Sequence, residues 1–494
     1  MVKQRNKETF EFESIQFSSK SKIPVYRQLE NQLRQAISSR TLLPEDRVPS
    51  SRNLAAAIGV SRNTVLAAYE QLISEGYLEA AHGSGTRVAK MPPQAFEFDS
   101  AAHPESSRVD ADECLASLGR QFRADAMLLP SARQRPQAFT PHLPSVDDFP
   151  WELWNRFSNE QSRWSNRHLM LGDPQGYLPL REAIAQYMAV SRGLSCCADQ
   201  VVITSGAQQA VTMVAQLLLE RGDVVWVEEP GNAPANRLLE VAGSRLVPIP
   251  LDAEGIDLSQ VPSVRRQPKL ICVTPGGQWP MGMTMSLNRR LELIAMAQKN
   301  KSWIIEDDYN GEFRYTGRPH ASLSSLDSSG RTIYMGTFSK LLFPSIRLGF
   351  LIVPASLAKT FAYARFLQDR GSPPLVQMVL HRFIETGSFI NHIRRMRTLY
   401  AERQSVLFES LQKHLAGLIK VEQPESGMHL VAQGVTKTAE AKLVSAAIQT
   451  KVDFHPVNIY SLSGNARGMI LGFAAFDRKM IQSTVRRWAK ALKR

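Results

Sequence analysis

The sequence predicts a two-domain α/β protein, in which a small, mostly helical unit precedes a large α/β domain. At 494 residues the chain is longer than one ordinary domain. Eight prolines between residues 92 and 150 interrupt any long element and separate the two regions. From Trp151 onward, apolar strand-like segments alternate with amphipathic helical stretches. This alternation is typical of a doubly wound α/β fold.

The composition is that of a globular protein with an ample core, since 43% of the residues are hydrophobic and 21% are charged. It excludes fibrous and disordered classes. Cys114, Cys196, Cys197 and Cys272 have no C-x-x-C spacing and no histidine partners. We therefore expect reduced thiols and no metal site. The N-terminus has no apolar leader and no apolar segment is long enough to cross a bilayer, so we expect a cytoplasmic protein without membrane contact.

The N-terminal unit is predicted to contain three helices followed by two short strands. Apolar residues at helical spacing predict an amphipathic helix over residues 25–39. A second helix is expected over residues 52–58, after Ser50 and Ser51 as alternative caps, and a third from Ser61 to about residue 75. The short glycine-containing turn between these two helices is typical of a helix-turn-helix. The glycine-rich segment 76–88 predicts a two-stranded wing.

The third helix begins with residue types that suit DNA. Its first turn is Ser61-Arg62-Asn63-Thr64, where backbone N–H groups favour phosphate. In a helix-turn-helix this turn enters the major groove, and Arg62 and Asn63 can form hydrogen bonds with base edges. The alternative for an isolated tetrapeptide is that Ser61 only caps the helix and Arg62 is a solvated charge. The net charge of +13 favours an anionic partner, although many basic proteins bind no nucleic acid.

Seven apolar segments of the large domain are predicted to be strands. They cover residues 200–204, 224–228, 246–250, 270–273, 303–306, 332–336 and 349–353. The first strand leads into Thr204-Ser205-Gly206-Ala207-Gln208, whose small residues let a phosphate approach the start of the next helix closely. Many turns between a strand and a helix look like this, so the pattern is weak on its own. The turn Gly172-Asp173-Pro174-Gln175-Gly176-Tyr177 is equally compatible with a purely structural role.

Two other strands end in residues with more distinctive chemistry. Asp307 at a strand end can pair with a protonated ring nitrogen, and Tyr309 can bond to a phenolate oxygen. Lys340 follows a strand in a mostly apolar stretch, where desolvation would lower its pKa and favour imine formation. Arg347, seven positions later, can bind phosphate as a fork-shaped donor. Structural alternatives exist here too, because acidic strand ends are common and a lone lysine usually extends to the surface.

The segment LPEDRVPSSRNLAAAIGVSRNTVLAAYEQLISEGYLEAAHGSGTRV resembles the GntR-type winged helix over its full length. This resemblance implies a DNA-binding domain over residues 20–90 that recognises a double-stranded operator. It implies DNA contacts from Arg52, Ser61, Arg62, Asn63 and Thr64, with His82 and Gly83 at the tip of the wing.

The blocks of the large domain, in this order and spacing, resemble a fold-type I aminotransferase domain over residues 137–494, with a smaller C-terminal α/β subdomain. Matching segments are YLPLREAIA, TSGAQQAV, IIEDDYNGEFRY, GTFSKLLFPSIRLGF, RRMRTLYAERQ and LGFAAF. Behind a GntR-type winged helix, and joined to it by a linker over residues 91–136, this domain resembles the MocR-type regulators.

The MocR-type resemblance implies a pyridoxal 5′-phosphate (PLP) site. In this site Lys340 would form the internal aldimine, Asp307 would pair with the pyridine nitrogen, and Tyr309 would bond to the ring hydroxyl. The phosphate would be held by Thr337, Arg347 and the backbone of Gly206, Ala207 and Gln208. The family also implies a head-to-tail homodimer, with each winged helix lying over the partner's large domain.

The sequence departs from the family pattern at several contacts to the cofactor and its ligand. Leu171 replaces a tyrosine that reaches the partner's cofactor phosphate, and Asn232 replaces an aromatic residue that stacks on the ring. A Thr-Pro-Ser-His-Gln block reads Thr274-Pro275-Gly276-Gly277-Gln278. Stacking contributes roughly 0.5–1.5 kcal/mol, so its loss should weaken cofactor binding without abolishing it. Aminotransferases bind the substrate carboxylate through an arginine on the C-terminal strand. Here that strand covers residues 469–473 and contains no arginine. Arg467, just before the strand, is a weak effector-binding candidate.

Three functions are compatible with these features. The first is a transcriptional regulator that senses PLP itself or an amine or amino-acid effector at Lys340. The second is a PLP-dependent aminotransferase with an accessory DNA-binding domain, and the third is a DNA-binding protein with a cofactor-free dimerisation scaffold. The departures favour the regulator over the enzyme, because turnover needs a well-held ring and a carboxylate clamp; a residual half-reaction stays compatible with Lys340. The presence of four candidate cofactor-binding residues argues against the scaffold: Asp307, Tyr309, Lys340 and Arg347.

Overall fold

The computed structural model describes residues 12, 15–18, 21, 23–81, 85–92, 114–125, 136–163, 172–261, 267–317 and 320–493. The chain divides into two compact units, Met1–Arg120 and Gln121–Arg494. The predicted domain limits of 20–90, 91–136 and 137–494 remain a prediction.

The first unit has the predicted three helices, α1 (Val25–Ser38), α2 (Ser51–Ile58) and α3 (Arg62–Ser74). Each of the last two starts at a serine cap. Ser50 Oγ accepts a hydrogen bond from the Asn53 N–H at 3.2 Å, and Ser61 Oγ accepts one from the Thr64 N–H at 3.1 Å. Gly59 ends α2 in the left-handed conformation at φ 70°, which turns the chain into α3.

The three helices enclose a small apolar core and support a hairpin. Leu29, Leu33, Leu54, Val65 and Leu72 are completely buried in this core. Strands β1 (Leu78–Ala81) and β2 (Gly85–Val88) pair antiparallel, with Leu78 opposite Val88. This hairpin confirms the predicted wing strands, while the wing-tip residues His82 and Gly83 lie outside the described residues.

The division between the two units falls within a short helix, α4 (Ser117–Asp125), and the second unit contains the helices of the α/β domain. The other helices are α5 (Trp151–Ser162), α6 (Leu178–Arg192), α7 (Ala207–Leu218), α8 (Ala233–Val241), α9 (Leu287–Asn300), α10 (Leu323–Leu326), α11 (Ala358–Asp369), α12 (Pro374–Glu385), α13 (Ser388–Leu415), α14 (Lys437–Gln449) and α15 (Arg478–Ala491).

An eight-stranded sheet forms the centre of the second unit. Its strands are β3 (Val201–Thr204), β4 (Val224–Glu229), β5 (Arg245–Asp252), β6 (Gly255–Ile256), β7 (Leu270–Val273), β8 (Trp303–Asp308), β9 (Thr332–Thr337) and β10 (Gly349–Ile352). Their spatial order is β3-β10-β9-β8-β7-β4-β5-β6, and the five strands from β9 to β5 in this order are parallel. All seven predicted strands are confirmed.

Strand β10 runs antiparallel to both of its neighbours, β3 and β9. The apolar pattern predicts that β10 exists but not its direction. The direction follows from the connection between β9 and β10, which contains only the short 3-10 turn Pro344–Ile346. A parallel crossover needs a dozen or more residues and usually a helix, so the chain reverses here instead.

A second, four-stranded antiparallel sheet forms the predicted C-terminal subdomain. Its strands β11 (Ile419–Val421), β12 (His429–Gly434), β13 (His455–Pro456) and β14 (Met469–Gly472) follow the order β11-β12-β14-β13. Trp488 of α15 is completely buried and donates a hydrogen bond from Nε1 to the Leu443 carbonyl at 2.9 Å, which joins α15 to α14.

Candidate cofactor and DNA-binding sites

The reversal of β10 brings three predicted phosphate-binding segments to one edge of the sheet. Gly349 at the start of β10 is paired with Thr204 at the end of β3 and with Thr337 at the end of β9. Gly206 and Arg347 therefore lie close together, although they are distant in sequence. Thr337 is buried beside them, and its hydroxyl accepts a hydrogen bond from the Ser339 N–H at 3.2 Å.

Gly206 leaves space in front of the Arg347 guanidinium. A Cβ atom at Gly206 would lie 3.5 Å from Nη2 of Arg347, and the glycine has a φ of +110°, which side chains rarely adopt. Helix α7 begins directly afterwards at Ala207, so the first N–H groups of the helix face the same region. A guanidinium, free helix N–H groups and an open backbone fit an anion such as phosphate.

Lys340 lies in the loop after β9, where its surroundings favour the neutral form of its amine. Its Nζ donates a hydrogen bond to the His142 carbonyl at 3.1 Å. Burial, with the nearby Arg347 charge, lowers the pKa of Lys340 to about 8, although Asp307 opposes this shift. A lysine with this pKa has a substantial neutral, nucleophilic fraction near neutral pH.

The two adjacent aspartates of β8 point in opposite directions and have different roles. Asp307 is buried, and burial raises the pKa of its carboxyl group to about 7, while a hydrogen bond from Asn232 opposes the rise. Asp308 accepts hydrogen bonds from Arg192 Nε at 2.5 Å and from the Tyr334 hydroxyl at 2.6 Å. Arg192 holds the pKa of Asp308 below its usual range despite burial. Asp307 thus faces the candidate site, and Asp308 anchors the strand.

Two buried hydroxyl groups beside these residues have no hydrogen-bond partner among the described residues. They belong to Tyr309 and Ser339. Burial, and the charges of Asp307 and Glu228, raise the pKa of Tyr309 well above its usual value, so its phenol remains protonated and can donate. Buried polar groups without partners are rare and indicate an absent acceptor. A ring hydroxyl and a phosphate would supply such acceptors, so these residues fit PLP.

Aromatic and imidazole rings surround Trp279 next to Tyr309, and we call them the Trp279 cluster. The ring centroid of Trp279 lies 3.7 Å from that of His142, 4.7 Å from His429, 5.1 Å from Tyr460 and 6.1 Å from Tyr309. Since the His142 carbonyl accepts the Lys340 hydrogen bond, this cluster borders the lysine on one side.

The departures from the family pattern have visible structural roles. Asn232 Nδ2 donates a hydrogen bond to Asp307 Oδ2 at 3.2 Å, while its Oδ1 accepts one from the Ala235 N–H and caps α8. At Gly277 a Cβ atom would lie 3.0 Å from Ser426 Oγ, which favours glycine there. Leu171 lies outside the described residues.

Arg467, the effector-binding candidate, forms an ion pair. Its Nη2 lies 2.9 Å from Glu440 Oε2 and 3.3 Å from the Gly434 carbonyl oxygen. The guanidinium is therefore already neutralised by a carboxylate of its own subdomain.

In the first unit, the predicted DNA-binding residues form an accessible surface at the start of α3. Arg52, Ser61, Arg62 and Asn63 are exposed, and Thr64 is half-buried. Arg62 Nε lies 3.4 Å from Ser51 Oγ, so its side chain extends across the start of α2. Helix α3 buries Val65, Ala68 and Leu72 on its opposite face, which keeps its first turn directed outward.

Comparisons with known proteins match both units. Residues 25–88 match the bacterial regulatory proteins of the gntR family, and residues 159–487 match the aminotransferase class I and II family. The probable rhizopine catabolism regulatory protein MocR of Rhizobium meliloti is 39% identical over 473 residues, which is 94% of this chain and 92% of that protein. The chain belongs to the MocR-type regulators of the GntR family. It is a DNA-binding transcriptional regulator.

Other relatives of this MocR-type chain support both halves of its architecture. The pyridoxine biosynthesis transcriptional regulator PdxR of Corynebacterium glutamicum is 27% identical over 92% of this chain and 93% of its own length. The structure of kynurenine aminotransferase from Pyrococcus horikoshii, solved with pyridoxamine phosphate, is 27% identical in sequence and has a TM-score of 0.69. The match covers 78% of this chain and 98% of the aminotransferase chain. The α-aminoadipate aminotransferase LysN of Thermus thermophilus has a TM-score of 0.71 at 25% identity, over 78% of this chain and 98% of its own. The aminotransferase family normally uses PLP.

Some features of this MocR-type site were missed in the sequence. The Asn232–Asp307 hydrogen bond joins residues 75 positions apart, and the Lys340–His142 contact joins residues 198 positions apart. Only Trp279 could have been found from the sequence, because it directly follows the 274–278 block.

None of the helices in the described ranges is long and apolar enough to cross a bilayer.

Proposed function

We propose that this MocR-type regulator binds PLP at Lys340 and uses the occupied site to sense a small molecule that alters operator binding. The observation that supports this most directly is the geometry of the site, where partly buried Lys340 lies near Arg347 and Gly206 leaves space in front of the Arg347 guanidinium. In the same site the Tyr309 hydroxyl has no partner among the described residues. Burial also lowers the pKa of Lys340 to about 8. A neutral amine next to an unsatisfied phenol suits a carbonyl-bearing ring compound.

Different residues would bind different parts of the cofactor. Lys340 would bind it covalently, Asp307 would pair with its ring nitrogen, and the Tyr309 hydroxyl would donate to its ring oxygen. The phosphate would be held by Arg347, Thr337 and the backbone of Gly206, Ala207 and Gln208. When bound, PLP supplies an aldehyde that reacts with amines and a ring that withdraws electrons.

The same site favours sensing over turnover. Asn232 uses its side chain to bind Asp307 and cap α8, so it offers no aromatic face to the ring. The candidate carboxylate ligand Arg467 is paired with Glu440. The effector would therefore be PLP itself or an amine or amino acid that meets PLP at Lys340. The names of two relatives concern rhizopine catabolism and pyridoxine biosynthesis, which supports a metabolic signal.

The second candidate function is an aminotransferase with an accessory DNA-binding unit. The arrangement of Lys340, Asp307 and Tyr309 favours it, because these residues would support proton transfer at a bound amino acid. Under either function we propose a head-to-tail homodimer that binds a double-stranded operator, with Arg52, Ser61, Arg62, Asn63 and Thr64, and the wing residues His82 and Gly83, at the DNA.

Absorption spectroscopy and a mobility-shift assay test the proposal together. Full-length protein mixed with PLP should gain visible absorption that Lys340→Ala removes and that Lys359→Ala, at an exposed lysine of α11, retains. PLP, alone or with an amine, should change the affinity for a promoter fragment in the wild type but not in Lys340→Ala. Uptake of PLP without any effect on DNA binding would contradict sensing, and sustained keto-acid release from amino donors would support the enzyme.

A further inference from the structure

The Trp279 cluster presents a mainly apolar wall on one side of Lys340. Trp279, Tyr460, Val457 and Ile470 are buried together, and Tyr309 packs against them. Among its polar groups, the Tyr460 hydroxyl is already paired with His455 Nδ1 at 2.7 Å. His429 Nε2 lies 2.8 Å from the Pro280 carbonyl oxygen. These two polar groups are therefore satisfied within the protein.

Ile470 is the part of the C-terminal strand that reaches this wall. It is completely buried on β14, opposite Val431 of β12 and His455 of β13. Its side chain belongs to the same buried apolar cluster as Trp279 and Tyr460. The C-terminal strand, where aminotransferases place the arginine for a substrate carboxylate, here offers an apolar side chain.

The charges around the cluster are unsuited to a carboxylate. Burial lowers the pKa of His429 to about 4, and burial together with the Lys340 charge lowers the pKa of His142 well below its usual value. Both imidazoles are therefore neutral at physiological pH. Strand β14, to which Ile470 belongs, contains no arginine. Arg467 is held by Glu440.

Only the edge of the wall is accessible. Lys340, Tyr309, His142 and His455 are partly exposed, while Trp279, His429 and Ile470 behind them are buried. A ligand whose amine approaches Lys340 would therefore meet this edge first. A carboxylate in the same place would lose water without gaining a cationic partner.

We propose that the effector of the Lys340 site is a primary amine with an apolar, ring-shaped body and no carboxylate. This proposal rests on the function proposed above, since PLP at Lys340 is the partner of the amine. The partly exposed rings of Tyr309, His142 and His455 would contact the body of the ligand. Ile470 behind them, where a carboxylate ligand would need a cation, would leave a carboxylate without a partner.

A matched pair of probes tests how the carboxylate affects binding. 2-Phenylethylamine and L-phenylalanine differ only in the α-carboxylate, and each is titrated into full-length PLP-loaded protein by calorimetry and by the absorption of the bound cofactor. We expect 2-phenylethylamine to bind at least tenfold more tightly, equivalent to about 1.4 kcal/mol. Equal or tighter binding of L-phenylalanine would overturn the proposal, and so would failure of both probes to bind at millimolar concentration.

Three variants assign the selectivity to named residues. Ile470→Arg should raise the affinity for L-phenylalanine at least tenfold, whereas Ile470→Leu, which keeps the apolar volume, should keep the preference for the amine. Arg467→Ala should leave L-phenylalanine binding as weak as in the wild type. A further loss of L-phenylalanine binding in Arg467→Ala would mean that Arg467 binds the carboxylate, and would refute the role given to Ile470.

The outcome also separates this proposal from the one on which it rests. PLP uptake is measured first, by the absorption that Lys340→Ala removes. No uptake overturns both proposals, whereas normal uptake with a preference for L-phenylalanine overturns only this one. Because the wild-type comparison needs no variant, the proposal stays testable if Ile470→Arg fails to fold.

Discussion

The side chain of Asn232 connects the start of helix α8 to the carboxylate of Asp307. Its Nδ2 donates to Asp307 Oδ2 at 3.2 Å, and its Oδ1 caps the helix by accepting from the Ala235 N–H. One residue thus fixes the position of Asp307 and lowers its pKa relative to burial alone. A substitution at Asn232 should therefore change the pH dependence of cofactor binding as well as its strength.

Asn232→Thr should shift the pH range in which PLP binds tightly. Threonine keeps a capping oxygen but cannot donate the amide hydrogen bond, so the pKa of Asp307 should rise above its present value of about 7. Asp307 must be ionised to pair with a protonated ring nitrogen. As the pH is lowered, PLP affinity should therefore begin to fall at a higher pH in the variant than in the wild type. PLP titrations from pH 6 to 9 measure this, and identical profiles for both proteins would exclude the role of the hydrogen bond.

The rate of PLP uptake should depend on the ionisation of Lys340. Burial lowers the pKa of Lys340 from 10.5 to about 8, and only the neutral amine attacks an aldehyde. The rate constant should therefore rise about tenfold per pH unit below pH 8 and level off above it. Stopped-flow absorption with apoprotein checks the profile. A rate that keeps rising toward pH 10 would indicate an ordinary, solvated lysine.

Arg62→Ala should weaken operator binding and reduce its dependence on salt. Arg62 is exposed at the start of α3, where it can contact a base edge or a phosphate, and such contacts contribute about 1–3 kcal/mol. We expect at least a tenfold loss of affinity in a mobility-shift assay. Arg245→Ala is the matched control, because it removes one exposed arginine from β5 of the second unit. An equal loss in both variants would show that only net charge matters.

Arg192→Met should destabilise the second unit strongly. Arg192 is buried between Asp308 and Glu312, with N–O distances of 2.5 and 2.9 Å, so its removal takes away the cation that pairs with both buried carboxylates. Breaking such a pair costs about 3–5 kcal/mol. Urea unfolding measures the loss. In Arg382→Met, which breaks an exposed pair with Glu385, the free energy of unfolding should fall by less than about 1 kcal/mol.

The sequence predicted the elements of this fold well, because their signals are local. The capping serine Ser61, the left-handed Gly59 and the apolar strand segments depend on neighbouring residues alone. The direction of β10 was not predicted, since an apolar segment reads the same in both directions. It follows from the length and structure of the connection from Thr337 to Gly349.

The candidate site was predictable only where its residues follow strand ends. Asp307 and Lys340 are predicted in this way, whereas Arg347, which precedes β10, is predicted from its spacing after Lys340. Asn232 was noted only as a missing aromatic ring, because a side chain's hydrogen-bond partner 75 residues away leaves no local pattern. The Trp279 cluster was missed for the same reason, as its rings come from five distant segments.

The antiparallel course of β10 also affects the order in which the cofactor site forms during folding. Lys340 and Arg347 lie in one hairpin connection, so bringing them together costs little chain entropy. Thr204, which pairs with Gly349, is roughly 145 residues away, so its closure is entropically costly and expected to be late. We therefore expect the edge strand β3 to complete the phosphate site late in folding. Bound PLP would then hold this strand in place, and amide exchange in β3 should slow when the cofactor is added.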